Sequence, residues 1–223
     1  MREPILFLHP VGGTYAYWRP QISHFAGSVA IDLTADTLEG MADQAARHGP
    51  AHVVGLSMGG VVALELWRRR PDRVRSLTLA CTWAKHPEAA SRIAFLEEQL
   101  SRMTLREFAA QSRPFLLAPE TSEETAGKLF EMEASKDAGL YRRQWRAIFS
   151  ADLSGIVPTV PTLLIGASLD RLSPVDSCLR PLQHQIPESR LVVLDGANHF
   201  ANWDRPAEFN RIVSEFLDSR GKP

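Results

Sequence analysis

The chain has 223 residues, enough for one domain with a sizeable core, and its 25 basic against 26 acidic residues leave no electrostatic case for a nucleic-acid or anionic-membrane partner. No stretch approaches the ~20 apolar residues of a membrane span, nothing at the start reads as a signal peptide, and Cys81 and Cys178 make no disulfide framework. A cytoplasmic protein is expected, without cofactor or metal, because neither metal-ligand spacing nor a Gly-rich phosphate loop appears.

Short Val/Ile/Leu runs alternate with helical patterns along the chain, as in parallel strands buried on both faces. The first, Ile5 to Leu8, feeds the loop His9-Pro10-Val11-Gly12-Gly13. A second runs from Val29 to Leu33 and is expected at an exposed sheet edge. The third, His52 to Leu56, enters Gly55-Leu56-Ser57-Met58-Gly59, and a helix pattern (Val61, Val62, Leu64, Leu66) follows at once. That helix ends in Arg68-Arg69-Arg70 before Pro71, where positive charge complements the helix dipole. The fourth strand is Val74 to Ala80. From residues 84 to 150 the strand rhythm stops and helical periodicity takes over. Strands return at Thr162 to Ile165 and at Leu191 to Leu194.

Strand, Gly-x-Ser-x-Gly and helix in that order describe a nucleophile elbow, a sharp turn that lifts the Ser57 hydroxyl clear of the sheet. A serine hydroxyl needs a base to take its proton and an acid to orient that base. Asp170 follows the strand at Thr162, and His199 follows the strand at Leu191. Carboxyl ends of parallel strands open on one crevice, so these residues can converge with Ser57. Asp195 ends its own strand and reads as a loop cap, and Asp152 reads as a helix start or linker turn. The strand ending at Cys81-Thr82 offers no carboxylate. His9 is the main rival base; His24, His48, His52, His86 and His184 read as solvated or packing residues.

These motifs resemble the α/β-hydrolase superfamily. The matching pieces are Leu6 to Gly13 with Trp18, Gly55 to Gly60, Arg70 to Ala80, Pro161 to Asp170 with Pro174, and Gly196 to Phe200. The pattern is most similar to the 3-oxoadipate enol-lactonase and carboxylesterase group. The resemblance implies an α/β-hydrolase fold: a mostly parallel six-stranded sheet flanked by helices, without the family's leading hairpin. Residues 1–83 and 151–223 would form the core, and residues 84–150 a helical cap inserted in it. It implies Ser57 as nucleophile, Asp170 as orienting acid and His199 as base.

An oxyanion hole would use the N–H groups of Met58 and, from the first loop, Val11. In that loop His9-Pro10 stands where the family usually reads His-Gly, so its geometry can differ. His9, which stands where the family's His positions the loop backbone, is also a pocket candidate, with Trp83, Phe200 and Met58. Phe95, Leu129 and Phe130 read as cap packing, and Arg113, Arg142, Arg143 and Arg146 as either carboxylate binders or solvated helix faces. The expected partner is a small ester or lactone, with neither nucleic acid nor membrane, acting on a monomer or homodimer. The same triad also serves C–C bond or thioester hydrolysis, and a non-catalytic ligand-binding member of the fold is the remaining alternative.

Overall fold

The computed structural model describes residues 4–219. Six strands form one parallel sheet: β1 (Ile5–Leu8), β2 (Val29–Ile31), β3 (Ala51–Leu56), β4 (Val74–Ala80), β5 (Thr162–Ala167) and β6 (Arg190–Leu194). Their order is β2-β1-β3-β4-β5-β6. All six sequence-expected strands are present, and β5 extends two residues beyond its expected end. β2 lies at the sheet edge, as expected, with Val29 exposed.

The side-chain period of two divides the strands between two apolar cores. Leu6, Leu8, Val53, Leu77, Leu79 and Leu164 face one core, shared with helices α2 (Leu38–Ala46) and α3 (Met58–Arg69). Phe7, Val54, Leu56, Ala80, Leu163 and Ile165 face the other, closed by Tyr17, Trp18, the short helix α1 (Arg19–Ile22) and the last long helix. Burial on both faces explains why these strands read as continuous apolar runs rather than as alternating ones.

Four helices lie between β4 and β5: α4 (Ala89–Arg102), α5 (Leu105–Leu116), α6 (Glu123–Ala134) and α7 (Ala138–Phe149). Three of them begin on a side-chain cap. Thr104 and Glu107 form a reciprocal capping box, Ser122 accepts from the Thr125 N–H, and Asp137 from the Leu140 N–H. The insertion contributes to both cores, through Leu96, Phe108 and Trp145 on one side and Leu117, Ala126 and Leu129 on the other. Leu129 is fully packed, as expected of cap glue, whereas Phe95 is half exposed.

Past β5 come a π-helical turn (Val175–Leu179), α8 (Arg180–Gln185), then, after β6, α9 (Ala201–Asp204) and α10 (Pro206–Asp218). No helix among the described residues is long and apolar enough to cross a membrane. The strand order reverses between β1 and β3, which are neighbours whose connections leave in opposite directions. That switch point opens a crevice beyond their carboxyl ends, the place where open parallel sheets bind ligands. The first loop and the Gly-x-Ser-x-Gly turn both end there.

Candidate active site

Ser57 sits between β3 and α3 with φ 54° and ψ −116°, a left-handed backbone that a non-glycine residue adopts at a cost. The fold holds it there through its backbone: the Ser57 N–H donates to the Ala80 carbonyl (2.9 Å), and the Thr82 hydroxyl donates to the Ser57 carbonyl (2.8 Å). The flanking glycines are required by contact with backbone. A Cβ on Gly55 would stand 2.2 Å from the Gly59 carbonyl oxygen, and one on Gly59 would stand 2.0 Å from that of Leu8. Neither neighbour is a flexible side chain, so neither can give way. The Ser57 hydroxyl is not spent on capping α3.

Asp170 and His199 meet across adjacent strands. His199 Nδ1 lies 2.9 Å from Asp170 Oδ2, and both side chains are buried. Asp170 accepts three further hydrogen bonds: from the Leu172 N–H (2.8 Å) and Ser173 N–H (2.9 Å) at Oδ1, and from the Ser173 hydroxyl (2.5 Å) at Oδ2. Burial alone would push this carboxyl up. The His199 imidazole and the Ser173 donors outweigh it and hold Asp170 at about 2, so it is ionised at neutral pH. An ionised partner at Nδ1 keeps the proton on that nitrogen and leaves the Nε2 lone pair free. Among the described residues, no hydrogen bond joins the Ser57 hydroxyl to His199; the structure brings Asp170 and His199 together and holds Ser57 on the turn after β3.

The first loop is a tight turn in which the Gly13 N–H donates to the Pro10 carbonyl (2.9 Å) and Gly12 takes φ 71°. A positive φ at the third position is what a type II turn requires of glycine. In such a turn the Val11 N–H points away from the hydrogen-bonded side. Pro10 therefore leaves a donor at Val11, while the Met58 N–H is the first of α3 and lacks an intrahelical acceptor.

His9 braces the first loop. Its Nε2 accepts from the Leu33 N–H (2.9 Å) and its Nδ1 donates to the Pro10 carbonyl (2.8 Å), which ties the loop to the segment after β2. Burial lowers it to about 4 against the opposing pull of that carbonyl, so it is neutral. With both ring nitrogens engaged, it offers no base. It also forms part of the wall of a cleft of about 100 Å³, with Gly12, Lys136, Tyr141 and Gln144.

Trp83 departs from the pocket role expected of it. It is fully buried, its ring 4.8 Å from those of His86 and Phe149. It joins the base of α4–α7 to the sheet instead of facing a cavity. Phe200 does line a crevice, a narrow one that also meets Leu117, Leu129 and Glu133. The four arginines are engaged within the protein surface: Arg113 with Glu123, Arg143 with Asp36, Arg146 with Glu97, and Arg142 with the Leu100 carbonyl. Their alternative as solvated, paired helix faces is the one the structure supports.

Several residues essential to this geometry carry no role in the sequence reading. Ser173 braces Asp170. Asn198 donates to the Pro114 and Leu117 carbonyls (3.3 and 3.1 Å), and Asp204 accepts from the Ala118 N–H, the Thr121 hydroxyl and the Asn198 N–H. Together they stitch the His199 loop to the end of α5. Glu133 on α6 is a buried acid, and burial pushes it up to about 8 against the opposing pull of the Tyr17 hydroxyl. Folding thus favours its protonated form. The associated stability is complete below the ordinary carboxylate value and is lost as pH rises through about 8. Glu133→Gln, which cannot ionise, is expected to gain thermal stability over the native chain between about pH 5 and about pH 9. A constant difference in melting temperature across that range would remove Glu133 as the titrating group.

The alpha/beta hydrolase family profile matches residues 5–212. The chain is 29% identical over 241 aligned positions to "Putative carbamate hydrolase RutD" of Azorhizobium caulinodans, covering 96% of this chain and 90% of that one. Its fold is similar to the enol-lactonase from Burkholderia xenovorans LB400 (TM-score 0.84, 23% identity, 98% of this chain and 92% of that one). It is similar also to a thermophilic esterase from Thermogutta terrifontis (TM-score 0.83, 24% identity, 99% and 91%). The elbow, the parallel sheet and the family match over most of the chain lead to one conclusion: this protein is a hydrolase belonging to the alpha/beta hydrolase family.

Proposed function

We propose that the protein is a serine hydrolase that cleaves small carboxylic esters or lactones by acyl transfer. The observation that carries this reading is the buried Asp170–His199 hydrogen bond, which leaves Nε2 as the free basic nitrogen of the imidazole. In this mechanism His199 Nε2 takes the Ser57 proton as Oγ attacks the substrate carbonyl. The imidazolium that forms is stabilised by ionised Asp170. The N–H groups of Met58 and Val11 receive the developing oxyanion, and the dipole of α3 adds to their field. His199 then protonates the leaving oxygen. In the second half it deprotonates water, which attacks the acyl-enzyme carbonyl and releases the acid with Ser57 restored. Helices α4–α7 form a cap over this crevice: the Tyr141 ring lies against Gly12, and Asn198 binds the end of α5.

A second reading has its own support. Relatives named as carbamate hydrolases match nearly the whole chain. A carbamate presents the same carbonyl to Ser57 with a nitrogen substituent, so the mechanism needs no new group.

Exposure to a fluorophosphonate probe followed by intact-mass spectrometry tests the reading. One adduct, mapped to Ser57, is expected. A folded protein that takes no adduct, or takes it on another residue, would overturn it.

A further inference from the structure

The Asp170 carboxylate serves two side-chain donors through a single oxygen. Its Oδ2 accepts from His199 Nδ1–H at 2.9 Å and from the Ser173 hydroxyl at 2.5 Å, while the Leu172 and Ser173 N–H groups fill Oδ1. The Asp170 side chain is wholly buried and Ser173 is 1% exposed, so bulk water does not compete for Oδ2. Pro174 follows directly and disfavours a helical Ser173, which keeps this loop open until the π-helical turn begins at Val175.

The Ser173 oxygen also stands 3.4 Å from His199 Nδ1. That is the far edge of hydrogen-bonding range, whereas the contact with the carboxylate is short and charge-assisted. Donation to Oδ2 therefore outweighs any help the hydroxyl gives the imidazole directly. With donors on both oxygens the carboxylate cannot turn, and Oδ2 stays in line with Nδ1. A donor on Oδ2 also takes up part of the negative charge that would otherwise stabilise an imidazolium.

We propose that Ser173 is a positioning residue for the base: its hydroxyl fixes Asp170 Oδ2 on His199 Nδ1 and, by sharing that oxygen, loosens the carboxylate's hold on the imidazolium, so that the neutral base persists into more acidic solution. The inference rests on the acyl-transfer reading for the role of His199 as base. Other titratable groups also face Asp170. Burial pushes the Cys81 thiol at the end of β4 well up and the Cys178 thiol of the π-helical turn to about 12, so both are neutral. Burial lowers His86, whose Nε2 lies 2.9 Å from the Leu172 carbonyl. Asp204 of α9, itself pushed up by burial, faces Cys81, and Glu88 and Arg92 face His86. Arg171, beside Asp170 in the chain, is exposed.

The His199 imidazole is titrated by nitrogen NMR in the native chain, Ser173→Ala and Ser173→Thr, its signal identified by its absence from His199→Gln. This reads the ring without turnover. Ser173→Ala is expected to move the midpoint up by about half a pH unit or more. Its kcat/KM for p-nitrophenyl acetate should then fall about threefold or more further on the acid limb than on the plateau. Ser173→Thr, which keeps the hydroxyl, should restore the native midpoint. A midpoint that is unmoved or lowered in Ser173→Ala, or that is equal in the alanine and threonine variants, would overturn the proposal, because a merely structural serine changes Tm alone. If Ser173→Ala does not fold, Ser173→Cys, of similar shape but a weak donor, must show the upward shift instead. An upward shift in a protein whose Ser57 takes no fluorophosphonate would sink the acyl-transfer reading and keep the coupling of Ser173, Asp170 and His199.

Discussion

Ser57→Ala is expected to fold normally and to lose about 10⁴–10⁶-fold in kcat for ester hydrolysis, the range of nucleophile knockouts in serine hydrolases. Folding is spared because the elbow is held by groups the substitution leaves alone. The Ser57 N–H and carbonyl keep their bonds to Ala80 and Thr82, and Gly55 and Gly59 keep the close backbone approaches. Alanine meets the same positive φ as serine, so the backbone strain hardly changes. What disappears is the oxygen that His199 activates. Circular dichroism and initial rates on p-nitrophenyl acetate check both halves. Full activity in the variant would end the assignment, whereas an unfolded variant would mean that the hydroxyl also holds the turn.

Asp170→Asn is expected to cost about 10⁴-fold in kcat with little change in KM, as loss of the orienting acid does elsewhere. The reason lies in the four donors around this carboxylate. Oδ1 takes two backbone N–H groups, from Leu172 and Ser173, and Oδ2 takes His199 Nδ1–H and the Ser173 hydroxyl. Asparagine has a single acceptor oxygen, and the fixed backbone donors claim it. Its NH₂ then faces His199 Nδ1, which must become an acceptor, so the ring proton moves to Nε2 and confronts the Ser57 hydroxyl. The nucleophile loses its base although every atom stays near its place. The buried mismatch with Ser173 should also destabilise the fold by about 1–3 kcal/mol. A kcat within a factor of ten of the native enzyme would show that Asp170 does not orient the base.

These outcomes separate chemistry from scaffold, and the same separation runs through the sequence. The chain by itself determined the order of strands and helices, because fully buried parallel strands leave unbroken Val/Ile/Leu runs and the elbow glycines leave a fixed spacing around Ser57. Asp170 and His199 were legible too, since each follows a strand whose carboxyl end must open on the same crevice. The tertiary structure decided what depends on contacts between distant segments. It supplied the partner that lets His9 brace the first loop, the Leu33 N–H 24 positions away. It moved Trp83 into an aromatic stack with Phe149, a partner from the far end of the inserted helices. Glu133 shows the limit most clearly. It is an acid on a helix, flanked by Met132 and Ala134, and an acid in such a segment reads as exposed. Only the arrival of Tyr17, Phe200 and Tyr141 from three other segments buries it and keeps its proton on. Periodicity records which face of an element is apolar, but the partner on that face, and with it the charge state of a buried group, is set by the packing of segments that the sequence keeps apart.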